Sequence, residues 1–175
     1  MTASEVFEAV TGGGSSDFAT LVTILNLRGP WCLIGGLAVN CYVEPVYTLD
    51  ADIVVVASEL PTIKAELTKV GFSVEAFPHS LNARMAKSDL RIQFTLDPRY
   101  QPFVKDTTVR EVLGQQVPVA SLVNVVSGKI WAWSDGKRRL SKRKKDELDL
   151  IRISETYPDL RSLMPEEIRT QLEQD

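Results

Sequence analysis

Two carboxylates, Asp50 and Asp52, stand one residue apart at the head of a β-branched run, Ile53-Val-Val-Val56. Side chains at i and i+2 of a strand share a face, so the two acids project together. Upstream, Trp31-Cys-Leu-Ile-Gly35-Gly36-Leu-Ala-Val-Asn40 reads as an apolar strand closed by a Gly-Gly turn that opens a helix. The pair of acids therefore lies beside a turn with almost no side-chain bulk. That arrangement suits a divalent cation and a nucleoside triphosphate. Mg²⁺ takes a few carboxylates plus phosphate oxygens and water, and glycine lets the backbone approach a phosphate closely. The alternative, a solvated strand start, leaves two like charges on one face without a cation.

The elements that must position these residues follow from periodicity and turn chemistry. Helices are expected over 3–10 and 17–28, the second capped by Asp17, with a glycine-rich turn between them. A buried strand covers 31–35, and a helix over 36–43 stops before Pro45. Residues 50–57 form a strand with both faces covered. A helix over 59–70 closes on Gly71. A strand over 72–77 precedes a hairpin of 81–87 with 90–96, turning near Ser88-Asp89. Its second strand points Leu90, Ile92, Phe94 and Leu96 at the core, and Arg91, Gln93 and Thr95 the other way. Pro98 and Pro102 mark a loop, and 117–119 a short strand. Helices then cover 121–134 and 142–155, and Pro165 starts a last one. Trp131 and Trp133 read as core packing rather than as bases' stacking partners. The fold class is α/β (α+β): a small mixed sheet with flanking helices over 1–119, then a helical part over 120–175 packed on it as one compact unit.

Composition narrows the classes. With 175 residues, 44% hydrophobic and 25% charged, the chain can bury a real core. It lacks a run of 18 apolar residues, so no membrane span is expected. Residues 1–20 lack the pattern of a signal peptide, and Cys32 and Cys41 read as free thiols, which together imply a cytoplasmic protein. The single histidine, His79, excludes a His-rich metal site and reads as a loop residue. Net charge is −3, yet seven of the nine residues from Lys137 to Lys145 are basic, leaving −10 for the rest. Such asymmetry fits either an anionic partner or a solvated helix end.

Gly35-Gly36-Leu-Ala38 followed by Thr48-Leu-Asp50-Ala-Asp52 resembles the signature of the nucleotidyltransferase superfamily, with its DNA polymerase beta-like fold. Val117-Pro-Val-Ala-Ser-Leu122, Lys129-Ile-Trp-Ala132 and Lys144-Lys-Asp146-Glu-Leu-Asp149-Leu are similar to the helical half of its minimal branch, which contains the AbiEii/MenA-type toxins. The resemblance spans roughly residues 20–153. It implies that Asp50 and Asp52 hold Mg²⁺ in a two-metal site. Gly35, Gly36 and Thr48 would line the nucleotide, with the start of the 36–43 helix favouring the anion. Lys129 and Lys145 would contact phosphate or acceptor, and Asp146 and Asp149 would orient cations. The chemistry is in-line transfer of a nucleoside monophosphate from an NTP, with two ions about 3.5–4 Å apart stabilising the attacking and leaving oxygens.

Active members of the superfamily add a third acid on a neighbouring strand. The matching position here is Gln93, whose amide ligates Mg²⁺ weakly and accepts no proton. Asp89 and Asp97 share its parity but stand roughly 13 Å away along an extended strand. Arg91 could supply a fixed positive charge in place of one metal. The enzyme reading is thus NTP-dependent transfer to a hydroxyl of RNA, tRNA, a protein or a small antibiotic-like molecule, with Lys137–Lys145 available to an RNA backbone. The alternative is a catalytically impaired relative that binds nucleotide or RNA, or with a protein partner forms half of a toxin–antitoxin-like pair; a structural domain with a vestigial acid pair is the third.

Overall fold

The computed structural model describes residues 2–174. Helix α1 (Ala3–Thr11) opens with a capping box, in which Thr2 accepts from the Glu5 N–H and Glu5 accepts from the Thr2 N–H. Gly12 and Gly13, both left-handed, end α1 and start α2 (Gly14–Asn26). Gly13 therefore occupies the cap position expected for Asp17, which falls inside the first turn. The glycine pair reverses the chain earlier than a polar cap would. Phe18, Leu21, Val22 and Leu25 of α2 are buried.

The strands follow the apolar runs. They are β1 (Trp31–Ile34), β2 (Asp50–Val55), β3 (Ser73–Phe77), β4 (Ser80–Arg84), β5 (Arg91–Thr95), β6 (Thr107–Val112) and β7 (Gln115–Ala120). Between them lie α3 (Gly35–Val39) and α4 (Leu60–Lys69); after them come α5 (Leu122–Ser134), α6 (Leu140–Thr156) and α7 (Glu166–Leu172). All seven strands join one mixed sheet in the order β3-β4-β5-β2-β1-β7-β6. Strand β2 runs antiparallel to β1 and parallel to β5, while β1 runs parallel to β7. Helix α2 packs on α4; α5 packs on α6 and on α3. No helix among the described residues is long and apolar enough to cross a membrane.

Several expectations need correction. Helix α3 stops at Val39 instead of 43, because the Asn40 amide bridges Val46 N–H and C=O and turns the chain there. Strands β3 and β4 form a hairpin about the Pro78-His79 turn, and β4 ends at Arg84 rather than 87. Leu96 is exposed, since β5 ends at Thr95 and the alternation ends with it. Residues 98–105 are a 3-10 turn rather than an open loop. The short strand expected at 117–119 is one arm of the β6–β7 hairpin, which turns at Leu113-Gly114. Cys32 is buried, Cys41 is half-buried, and both are free thiols.

Candidate active site

The register of β2 fixes the geometry. In the parallel ladder with β5, Asp50 stands opposite Arg91 and Asp52 opposite Gln93. Asp52 also faces Ile34 of β1, the last residue before Gly35. Gly35 takes φ +71, and a Cβ there would collide with the Asp52 carboxylate. Here glycine is required twice, by the backbone and by the approach of the acid. Gly36 borders Thr48, which is itself buried.

The two acids differ sharply. Asp50 is held by Arg91 Nε at 2.7 Å and by Lys142 Nζ at 2.9 Å. Burial pushes its carboxyl up, but Lys142, Arg91 and Lys145 outweigh burial and hold it below the usual carboxylate range. Asp52 receives no hydrogen bond or ion pair among the described residues. Burial pushes it up to about 6; Lys129 opposes the shift and the Asp50 charge adds to it.

Lys129 is buried on α5, with Asp146 Oδ1 at 2.9 Å and Asp149 Oδ2 at 2.7 Å. Arg138 reaches Asp146 and Arg152 reaches Asp149, each at 2.8 Å. Burial alone would lower the Lys129 pKa, but Asp149 and Asp146 more than reverse this and keep the ammonium charged. Lys145 donates to the Thr48 hydroxyl at 3.4 Å. Thus the Lys129 and Lys145 side chains bind protein groups at the margin of the site.

Two cavities meet at Gln93. One, of about 110 Å³, is lined by Gly35, Asp52, Gln93, Tyr100, Lys129 and Arg138. The other is an open polar groove of about 440 Å³ over β3–β5, bounded by Asp50, Arg91, Gln93 and Lys142. Among the described residues no carboxylate takes the place of Gln93. Asp97 is paired with Arg99 at 2.7 Å, and Asp89 N–H donates to the Thr11 carbonyl beyond the strand's end. Among the described residues no group of three His, Cys, Asp or Glu side chains could hold a metal. The donors present are two carboxylates and a neutral amide. That set fits one Mg²⁺ arriving with phosphate oxygens, not a pair of protein-held ions. The one-turn α3 contributes little dipole to such an anion.

Sequence reasoning saw the basic run but not its use. Arg138 pairs with Asp146, Lys142 with Asp50 and Lys144 with Glu147, and Arg143 donates to the Trp133 carbonyl. The signal for Lys142 was helical spacing: Lys142, Lys145, Asp146 and Asp149 share one face of α6. Trp131 packs against Phe103 and Tyr100, with Arg99 over its ring.

No protein-family model and no curated protein matches the sequence at a significant level. Solved structures do match. The antibiotic-resistance factor ANT(2'')-Ia superposes with a TM-score of 0.58 at 13% identity, over 91% of each chain. The lincosamide antibiotic adenylyltransferase LnuA gives 0.53 at 14% identity, over 78% of this chain and 94% of its own. An antigenic nucleotidyltransferase-like protein from Paracoccidioides brasiliensis gives 0.53 at 17%, over 90% and 85%. The chain has the nucleotidyltransferase fold. The narrower likeness to the AbiEii/MenA branch rests on the sequence pattern alone.

Proposed function

We propose that this protein transfers a nucleoside monophosphate from an NTP to a hydroxyl acceptor. One divalent cation would sit on Asp50 and Asp52. The observation that carries the reading is the meeting of Asp50, Asp52 and the Gly35 turn at the start of the central strand β2, between two cavities. When bound, the cation would neutralise charge on the phosphates. The acceptor oxygen forms a bond to the α-phosphorus; the α–β bridging P–O bond breaks, and pyrophosphate leaves with its electron pair. Gln93 accepts no proton, so the hydroxyl proton passes to water. Gly35 and Gly36 let the backbone approach the triphosphate, and Lys129 and Lys145 supply positive charge nearby. A cytoplasmic setting, where NTPs are available, fits this reading. An RNA acceptor gripped by Lys137–Lys145 gains little support, because four of those basic residues are engaged within the chain and a fifth, Lys145, donates to Thr48.

Incubation with α-labelled NTPs, Mg²⁺ and a cell extract tests the proposal. Label should move to an acceptor with wild type and not with Asp52→Asn. Equal transfer by that variant, or no transfer by wild type, overturns it. Gln93 and the doubly paired Asp50 favour a second reading, a nucleotide-binding relative without turnover. Calorimetry would then show tight binding of ATP, GTP or CTP with Mg²⁺ and no pyrophosphate release.

A further inference from the structure

The polar groove has a specific charge pattern. Register places Asp52, Gln93, Asn82 and Glu75 in one row across four strands. Next along the groove, Asp50 pairs with Arg91 at the start of β5, and Arg84, one residue beyond the last β4–β5 pair Ala83–Ile92, lines the same groove at the end of β4. Arg91 is paired with Asp50, whereas Arg84 has no ion-pair partner among the described residues. Lys142 reaches the same groove from α6. Arg84, Arg91 and Lys142 thus line one groove together with Asp50 and Glu75. The Asn82 Oδ1 is buried and accepts no hydrogen bond among the described residues, although its residue lines the groove.

Resting on the transfer reading, we infer that this groove holds the acceptor, and that the acceptor is a small hydroxyl compound carrying a phosphate. Its phosphate lies against Arg84, Arg91 and Lys142. Its hydroxyls lie in the Asn82–Gln93 row, beside the acid pair. Adjacent rows on one strand face are about 7 Å apart, which sets the span between phosphate and hydroxyl. A groove of about 440 Å³ takes one sugar-phosphate-sized molecule. Glu75 at the far end repels the phosphate and fixes its direction. The same cations disfavour a polycationic acceptor such as the tobramycin found adenylylated in one ANT(2'')-Ia structure.

Calorimetry of the full chain with ribose 5-phosphate, without NTP or Mg²⁺, tests this. Ribose 5-phosphate should bind, and neutral ribose and tobramycin should not. Arg84→Ala, at an exposed position, should weaken binding at least about tenfold. Arg169→Ala on α7 should leave it unchanged. Equal binding of ribose, or no effect of Arg84→Ala, overturns the inference. So does binding of a short oligonucleotide without binding of ribose 5-phosphate. A separate ATP and Mg²⁺ titration reports on the transfer reading, so failure of one is distinguishable from failure of the other.

Discussion

Asp52 has a titration with a definite sign. A carboxyl whose folded pKa is raised holds its proton more tightly folded than unfolded. The stability it contributes is present below the unfolded value, near 4, and is lost as pH rises through about 6. Asp52→Asn should therefore be about 2–3 kcal/mol more stable than wild type at pH 8 and equal to it at pH 4, as read from urea midpoints. Removing Lys129 has the opposite effect on stability. Lys129→Met leaves Asp146 and Asp149 buried with one cation each, Arg138 and Arg152, and should cost about 3–5 kcal/mol in the same assay. Gly35→Ala forces a left-handed backbone on alanine and displaces Asp52. It should lose at least about 1–2 kcal/mol and abolish ATP binding by calorimetry.

At the scale of elements, α6 places Lys142 over Asp50. Lys142→Ala should let Mg²⁺ alone bind severalfold more tightly, read by calorimetric titration; unchanged affinity would show that the ion pair does not compete. The sequence announced some elements and hid others. Ile53 to Val56 and the buried residues of β1 are apolar enough to identify their strands. Strand β6, Thr107–Val112, is exposed along nearly its whole length and shows no alternation, so only pairing with β7 reveals it. The acid pair and Gln93 were legible because strand parity is local. The Asp50–Arg91 and Asp50–Lys142 pairs were not, because they depend on a parallel register and on a contact across 92 residues.

For the whole molecule, the strands end at Ala120, yet Val125, Val126, Leu150 and Ile153 beyond it are buried in the same core. The two parts should unfold together. Trp31 lies in β1, and Trp131 and Trp133 lie in α5, so tryptophan fluorescence samples both parts. Its midpoint in urea should coincide with that of circular dichroism, and a chain cut after Ala120 should fail to fold; separate midpoints would show two independent units. The double pairing of Asp50 has a further effect. It would make the site an ion exchanger: a metal ion entering would release Arg91 and Lys142, and a phosphate capturing those two would release Asp50. Each ligand would vacate the groups the other needs, so metal and phosphate should bind cooperatively, and by linkage the gain should be the same whichever arrives first.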